Sequence, residues 1–335
     1  MKHVIGNKAF RVLVLCIAAL SAAVASGQAK RTFSFAYDQP TSTAYGIAAN
    51  IFDAKLKELS GGTMSINQFP GAQLGQEPQM LQKMRAGDID FVITSTANAS
   101  TVAPQAGVFS LHFIFRDQDH LRHVLADPAI AKEFRDMVHD SVQGAQVLGL
   151  LTMGMRDMYS KKAITSIADI RGEKVRVQAT KTEDTLFPAY GAQTVHMPFG
   201  DVYTSLQTGV VNVAENGVNV YMANKHYEVA PILSMTEHEA NNNCLWVSDK
   251  TWNSLTPEQQ KWVQAAATEV STTEPAKALQ LEKDSAAKLS KMGVKIVDGV
   301  DKSGFIKAAQ PVQDELAAEL GPHAVKLLKM VRDEK

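Results

Sequence analysis

The segment between residues 32 and 94 alternates strand-like and helix-like patterns, and this alternation restricts the possible fold more than any other feature. Three short runs with the apolar spacing of strands are separated by two amphipathic stretches that each end at glycine. The predicted strands are 32–36, 64–68 and 89–94, and the predicted helices are 42–60 and 77–86. Because strands joined through helices run parallel, this order predicts an α/β fold built on a parallel sheet.

The segment 1–29 has the layout of a secretory signal peptide. Lys2, Lys8 and Arg11 precede an apolar run at 12–24 that ends among small residues. The run is shorter than the roughly 20 apolar residues that a transmembrane helix needs. We therefore expect this segment to be removed and the protein to be exported to a periplasm.

The composition of the chain after residue 29 limits the classes of partner and the kinds of stabilising bond that the protein can have. The formal net charge of the whole chain is −1, and loss of three basic residues with the signal peptide changes it to −4. This balance argues against nucleic acid as a partner. Only Cys244 remains after cleavage, so an internal disulfide bond is excluded and packing must stabilise the fold.

A chain of this length is expected to divide into two lobes. The first lobe is predicted at 30–153 plus 244–280, and the second at 154–243 plus 281–335. The chain would cross between the lobes after an apolar strand at 146–152 and return at the polar run 241–243.

A long helix is expected to connect the lobes. Thr256, Pro257 and Gln259 form a helix start with a capping box and a proline at the first helical position. The helical pattern continues to about residue 290, which gives a length of about 50 Å. Pro275 lies inside this pattern and predicts a kink, since proline removes a hydrogen bond of the preceding turn.

Arg176 is a candidate anchor for an acidic ligand. In the predicted strand 174–177, two valines share one face and Lys174 and Arg176 share the other. A guanidinium matches a carboxylate with two parallel hydrogen bonds and stays charged at any relevant pH. Periodicity alone favours a different interpretation, a surface arginine paired with a nearby carboxylate.

Asn216 follows a predicted strand, 210–215, at the position where α/β proteins bind ligands. Its amide can both donate and accept hydrogen bonds, which suits a carboxylate or a hydroxyl group. The dipeptide Asn216-Gly217 is equally typical of a simple turn, so both interpretations remain open.

No motif indicates a catalytic or metal centre. The sequence contains no G-x-S-x-G elbow, no P-loop and no G-x-G-x-x-G. His120 and His123 share one helical face, and 237–239 is Glu-His-Glu, but neither has the spacing of a zinc site. Both are expected in solvated segments, and we expect neither a metal ion nor a cofactor.

Several blocks of the sequence, in this order, resemble the solute-binding subunit (DctP type) of tripartite ATP-independent periplasmic (TRAP) transporters. The blocks are SGGTMSINQFPGAQLGQE at 60–77, RAGDIDFVI at 85–93, HFIFRD at 112–117, IADIRGEKVRV at 167–177 and MPFGDVYTSLQTGVVNVAEN at 197–216. The resemblance implies a periplasmic-binding-protein-like fold of two α/β lobes with a hinge and a lobe-spanning helix. It also implies a monomer that binds a small organic acid and delivers it to a small and a large membrane subunit driven by an ion gradient.

The resemblance also implies roles for individual residues. The carboxylate-anchoring arginine of the family corresponds to Arg176, a second ligand-contacting arginine to Arg156, and the cleft asparagine to Asn216. Phe199 and Glu77 correspond to further residues that line the pocket. No residue is assigned a catalytic role.

The chain departs from the family pattern at two places. It has Asn-Val-Ala-Glu-Asn-Gly at 212–217 where the family usually has D-G-x-E-N-P, and His112 where the family usually has proline. Two alternatives to transport by a TRAP permease remain at this point. One is a binding protein that serves another transporter or a sensor, and the other is a periplasmic enzyme that uses Glu77 or a histidine as a base.

Overall fold

A computed structural model describes residues 30–335, so the predicted signal peptide lies outside the described residues. The strands are β1 (Arg31–Ala36), β2 (Met64–Phe69), β3 (Phe91–Ser95), β4 (Ala145–Ser160), β5 (Lys174–Val177), β6 (Gln193–His196), β7 (Val213–Asn216), β8 (Ile232–Ser248) and β9 (Lys295–Val297). The helices are α1 (Ala44–Leu59), α2 (Glu77–Ala86), α3 (Thr96–Ala99), α4 (Gln118–Ala126), α5 (Pro128–Ser141), α6 (Lys181–Ala189), α7 (Val202–Thr208), α8 (Val218–Ala223), α9 (Asp249–Asn253), α10 (Pro257–Lys291), α11 (Ser303–Leu320) and α12 (Pro322–Asp333). Short 3₁₀ helices lie at Pro104–Ser110, Ile167–Ile170, Phe199–Asp201 and His226–Glu228.

The strands join in the order β2-β1-β3-β8-β4-β7-β5-β6, with β9 paired to β8. β1 runs parallel to both β2 and β3, which confirms the parallel sheet predicted from the segment 32–94. β5 likewise runs parallel to β6 and β7. These two parallel groups lie on opposite sides of the antiparallel pair β4 and β8, so the fold has two α/β lobes that share two long strands.

β4 carries the chain from the first lobe into the second. It includes the predicted strand 146–152 and continues to Ser160, because the chain passes the crossing between the lobes as a bulge within one strand. Its register against β8 shifts between Thr152 and Met155, and Gly154 adopts a φ of +83° there. This positive φ favours glycine, so the backbone of the crossing depends on a glycine at this position.

β8 is much longer than the sequence predicts. The pattern indicates a strand only at 244–248, whereas β8 begins at Ile232. The prediction that 237–239 lies in a solvated loop is wrong, because His238 and Glu239 are buried in this strand. Their polar side chains face other polar groups inside the molecule, and periodicity does not reveal such an interior.

The long helix α10 spans both lobes as predicted. Thr256 Oγ1 accepts a hydrogen bond from the Gln259 N–H group at 3.3 Å, which confirms the predicted cap. The helix has 35 residues, so it is about 52 Å long, and it packs on α1 and β4 as well as on α8 and β9. It continues through Pro275 without ending, and the kink there stays a prediction. None of the helices within residues 30–335 is both long and apolar enough to cross a membrane.

The last two helices pack against each other and against helices from both halves of the molecule. α11 packs on α6, and α12 packs on α5, so the C-terminal segment contacts both sides of the molecule. His120, expected to be solvated, is instead buried, and its Nε2 lies 2.9 Å from the carbonyl oxygen of Val331 in α12. The lobe boundaries at 153/154, 243/244 and 280/281 stay a prediction.

Candidate functional site

A cleft between the lobes collects polar side chains at the carboxyl ends of four strands. Asp38 follows β1, Ser95 ends β3, Gln178 follows β5 and Asn216 ends β7, and all four line the cleft. Its enclosed volume is about 30 Å³, and it adjoins an outer cavity of about 290 Å³. Open α/β sheets bind ligands at this edge, so the cleft is the candidate binding site.

Arg176 lies in this cleft, and its hydrogen bonds within the protein go to a neutral group. Its Nε and Nη2 groups donate to the carbonyl oxygen of Met197 at 3.2 and 3.0 Å. The residue is 2% exposed, and burial lowers the pKa of its guanidinium. The interpretation of Arg176 as a surface residue is therefore wrong. Its charge is buried beside a cleft that a negatively charged ligand can enter.

Arg156 also lines the cleft, but carboxylates already hold its guanidinium. Nε and Nη2 both donate to the Glu215 carboxylate, Nη1 donates to Asn241 Oδ1 at 3.3 Å, and Nε lies 3.1 Å from Glu239 Oε2. Burial by itself would lower the pKa of Arg156, but Glu215 and Glu239 outweigh burial and raise it. Burial by itself would raise the pKa of Glu215, but Arg156 and His238 lower it to about 2. This buried pair is therefore ionised.

Asn216 is fixed by hydrogen bonds to its amide oxygen. Oδ1 accepts from Asn241 Nδ2 at 2.8 Å and from the Gly217 N–H group at 2.9 Å. Its Nδ2 group has no hydrogen-bond partner in residues 30–335 and lies at the cleft, where it can donate to a ligand. The altered sequence at 212–217 still forms β7 and the start of α8, so the departure does not remove Asn216 from the cleft.

Phe199 forms a wall of the cleft next to Arg176. The Phe199 side chain is half-buried. Its ring centroid lies 5.8 Å from Cζ of Arg176 and 5.4 Å from the ring centroid of His226. The ring gives the cleft one apolar surface among mainly polar groups, which suits the carbon skeleton of a polar ligand.

Glu77, the first residue of α2, is buried at the cleft with both carboxylate oxygens bonded. Oε1 accepts from the Tyr45 hydroxyl at 3.0 Å. Oε2 accepts from the N–H and hydroxyl groups of Ser95 at 2.9 and 2.8 Å and from Asn98 Nδ2 at 2.7 Å. These donors hold the carboxylate in one position on the wall of the first lobe.

Sequence reasoning missed Asp38 and Gln178. Asp38 lies two residues after β1 and Gln178 directly follows β5, so the rule that placed Asn216 in the cleft would also have found them. Burial, together with the nearby Glu77, raises the pKa of Asp38 well above its usual value. Gln178 Oε1 is buried without a hydrogen-bond partner among the described residues. Both side chains can therefore exchange hydrogen bonds with ligand hydroxyl groups.

Two hydrogen bonds connect the lobes across the mouth of the cleft. The Gly200 N–H group donates to Gln76 Oε1 at 3.3 Å, and Asn224 Nδ2 donates to Gln39 Oε1 at 3.0 Å. The structure therefore represents the closed form of the two-lobed molecule.

A group of buried titratable residues adjoins the Arg156–Glu215 pair. His238 Nε2 lies 3.7 Å from Glu215 Oε2, and the ring centroids of His112 and His238 are 4.8 Å apart. Burial lowers the pKa of His112 to about 3 and that of His238 to about 4, so both rings are neutral at pH 7. Burial and Glu215 raise the pKa of Glu183 to about 8. The departure at His112 thus places a polar ring in the interior.

Comparison with known proteins places this architecture in one family. The family model of the bacterial extracellular solute-binding proteins, family 7 (DctP), matches residues 35–320. The 2,3-diketo-L-gulonate-binding periplasmic protein of Escherichia coli is 27% identical over 319 residues, which cover 95% of this chain and 96% of that protein.

Solved structures of TRAP periplasmic solute-binding proteins have the same fold. The protein from Xanthobacter autotrophicus with bound β-D-galacturonate has a TM-score of 0.84 and 29% identity, covering 90% of this chain and 100% of that one. The protein from Polaromonas bound to D-erythronate has a TM-score of 0.85 and 27% identity, covering 91% and 99%.

These matches extend over nearly all of the chain that follows the first 34 residues. They confirm the two-lobed fold, the periplasmic location and a role in binding rather than catalysis. The chain belongs to family 7 of the bacterial extracellular solute-binding proteins, the DctP family of TRAP periplasmic solute-binding proteins.

Proposed function

We propose that the chain binds a sugar acid, a carboxylic acid with several hydroxyl groups, and delivers it to a TRAP permease with a small and a large membrane subunit. The observation that carries the proposal is the buried Arg176, whose hydrogen-bond acceptor inside the protein is a carbonyl group. A ligand carboxylate would supply the missing negative charge through two parallel hydrogen bonds. Exclusion of water from the closed cleft would strengthen this contact.

The other cleft residues support recognition of hydroxyl groups. Asp38, Glu77 and Gln178 bring acceptor oxygens to the cleft, and Asn216 Nδ2 adds a donor. Hydroxyl groups both donate and accept, so they can match such a mixed lining. In this proposal, Asn216 fixes the orientation of the ligand.

Arg156 and Phe199 take supporting roles in the proposed complex. Arg156 lies at the cleft with its guanidinium held by Glu215, so it adds positive charge and a second contact to the ligand carboxylate. The ring of Phe199 would cover the carbon skeleton of the acid.

The ligands named for similar proteins support the same class of compound. The solved structures described above hold galacturonate and erythronate, and the Escherichia coli relative is named for diketogulonate. We extend this class, rather than any one of these acids, to the present chain.

A ligand screen tests the proposed class. Thermal unfolding would be measured with D-galacturonate, D-glucuronate, D-erythronate, succinate and pyruvate, because a ligand that binds the folded state raises Tm. We expect larger shifts with sugar acids than with succinate or pyruvate, and recovery of the bound acid unchanged. A Tm shift confined to succinate or pyruvate would exclude sugar acids as the ligand class.

Replacement of Arg176 tests the proposed anchor. We expect Arg176→Ala to weaken binding of the best acid by about 2–5 kcal/mol in calorimetry, because the carboxylate would be left desolvated and unpaired. The exposed Lys174 on the same strand provides a matched control, and Lys174→Ala should bind with unchanged affinity. Unchanged affinity in the Arg176 variant would overturn the anchor.

Delivery to the permease needs a separate test. A small and a large TRAP membrane subunit from the same organism would be reconstituted in vesicles with an ion gradient, and uptake of the radiolabelled acid would be followed. We expect uptake only when this chain is added. Uptake that does not depend on the chain would contradict delivery but leave ligand binding intact.

A further inference from the structure

Four buried side chains with nitrogen or oxygen atoms that could bind a metal ion lie near one another in the interior, outside the lining of the cleft. His112 lies between the 3₁₀ helix Pro104–Ser110 and α4, Glu183 lies in α6, and His238 and Glu239 lie in β8. Ligating atoms of His112, His238 and Glu239 all lie within 4.8 Å of one another. The Nε2 atom of His112 is 3.7 Å from Glu183 Oε1. All four residues are buried.

Four facing atoms of this cluster have no hydrogen-bond partner within residues 30–335. They are Nε2 of His112, Nε2 of His238 and both carboxylate oxygens of Glu183. Oε2 of Glu239 contacts Nε of Arg156 at 3.1 Å. Nearly all buried polar atoms of folded proteins are bonded, so four unpartnered atoms in one place need an explanation. All of them belong to residue types that bind metal ions.

The outer nitrogens of both imidazole rings are engaged. His112 Nδ1 is 2.9 Å from the Tyr190 hydroxyl, and His238 Nδ1 is 2.8 Å from Thr236 Oγ1. Such contacts orient metal-ligating histidines, because a bonded Nδ1–H leaves the Nε2 lone pair free for the ion. The rings are therefore held with Nε2 directed into the cluster.

We propose that His112, His238, Glu239 and Glu183 bind a divalent transition-metal ion, with Zn²⁺ as the ion that fits best. Two imidazole nitrogens and two carboxylate oxygens form a tetrahedral set that zinc accepts, whereas Mg²⁺ and Ca²⁺ prefer oxygen ligands alone. At zinc–ligand distances of about 2.0–2.1 Å, neighbouring ligand atoms are about 3.3 Å apart, so the four side chains would draw closer together on binding. The ion would tie α6 to β8.

Metal analysis tests this site without reference to the organic acid. The exported, processed protein would be stripped with dipicolinate, dialysed, titrated with ZnCl₂ and measured by competition with a chelating dye. We expect one Zn²⁺ per chain and a higher Tm with zinc. A wild-type protein that binds no stoichiometric zinc and shows no Tm shift would overturn the proposal.

Variants locate the ion. His112→Gln and Glu183→Gln should each weaken zinc binding by more than about 100-fold, because loss of an outer-shell partner alone costs 10–100-fold. His196→Gln is the control for adventitious zinc, since His196 Nε2 lies on the surface 2.6 Å from Asp184. Retained zinc in the first two variants, or loss of zinc in the control, would overturn the assignment.

A spectroscopic measurement on the wild-type protein covers the case in which the variants do not fold. Co²⁺ in a tetrahedral nitrogen and oxygen site absorbs visible light more strongly than octahedral Co²⁺ on a surface. We expect the tetrahedral spectrum, displaced by one equivalent of Zn²⁺. An octahedral spectrum would contradict the proposed site.

Discussion

At the scale of single residues, the two arginines of the cleft differ in what compensates their charge. Arg156 is bonded to Glu215 and lies next to Glu239, whereas Arg176 is bonded to a carbonyl group. Removal of one partner of a buried ion pair leaves the other charge buried and uncompensated. The same substitution should therefore affect folding at one position and ligand binding at the other.

We expect Arg156→Ala to lower the free energy of unfolding of the ligand-free protein by about 3–5 kcal/mol, because Glu215 and Glu239 lose their cation. Urea denaturation at pH 7 measures this value. Arg176→Ala, the matched change, should reduce the unfolding free energy less. Equal losses in both variants would contradict the different roles.

Because His226 is buried as a neutral ring, we expect the free energy of unfolding to fall in acid. The His226 side chain is buried, its Nδ1 is 2.8 Å from the Tyr159 hydroxyl, and burial together with Arg176 lowers its pKa to about 4. The unfolded chain, with a histidine pKa of about 6.5, therefore binds more protons between pH 6.5 and 4. The stabilising contribution is complete above pH 6.5 and falls by about 3 kcal/mol on acidification to pH 4.

The variant His226→Gln should show a weaker loss of unfolding free energy between pH 6.5 and 4 than the wild-type protein. Urea denaturation of ligand-free protein at several pH values gives this slope. His139 is exposed, so His139→Gln serves as the control and should retain the wild-type slope. A wild-type slope in the His226 variant would show that other groups carry the acid sensitivity.

At the scale of elements, the bulge of β4 fixes the crossing between the lobes. A Cβ atom at Gly154 would lie 2.6 Å from Cγ of Glu282 in α10. Glu282 cannot move freely, because its carboxylate accepts hydrogen bonds from the N–H groups of Val218 and Asn219 at the start of α8. The crossing, the long helix and α8 are therefore packed as one unit.

Gly154→Ala should lower the free energy of unfolding more than an alanine substitution at a glycine that has the same positive φ but no neighbouring side chain. Gly172 is the matched control, since its φ is +76° and a Cβ atom there would meet no atom within 4 Å beyond its chain neighbours. We expect about 1–2 kcal/mol for Gly172→Ala from the left-handed backbone, and a larger loss for Gly154→Ala. Urea denaturation measures the free energy of unfolding of both variants. Equal losses would show that the Glu282 side chain moves aside without cost.

Much of the first lobe could be predicted because its local patterns agree with its tertiary structure. The elements from β1 to β3 have the expected periods, and the capping box at Thr256 marks the start of α10 correctly. The N-terminal half of β8 could not be predicted, because Thr-Glu-His-Glu-Ala-Asn-Asn-Asn at 236–243 has the polarity of a loop. Its burial depends on partners such as Arg156 that are distant in the sequence.

The candidate site, like the fold, could be predicted only in part. Sequence blocks and strand ends led to Arg176 and Asn216, and the strand-end rule also covers Asp38 and Gln178. His112 is distant in sequence from His238 and Glu239, and only the fold brings the three side chains together. Such a cluster has no local signal.

At the scale of the whole molecule, the closed cleft depends on contacts that exist only when the lobes meet. Asn224, directly after α8, donates to Gln39, which follows β1, and Gly200 donates to Gln76. A bound acid would add contacts to both lobes and shift the population toward this closed form. Contacts across the mouth should therefore slow ligand release more than they speed ligand capture.

Asn224→Ala should raise the dissociation rate of the best acid about 2–10-fold, since one hydrogen bond contributes about 0.5–1.5 kcal/mol. The association rate should change little, because the open form lacks this contact. Stopped-flow fluorescence gives both rates. The control variant is Asn212→Ala, because Asn212 is exposed and accepts a hydrogen bond from the Lys174 N–H group within the second lobe. A change in the association rate constant alone would contradict this prediction. It would mean that the Asn224–Gln39 hydrogen bond forms before the lobes close and that other contacts stabilise the closed form.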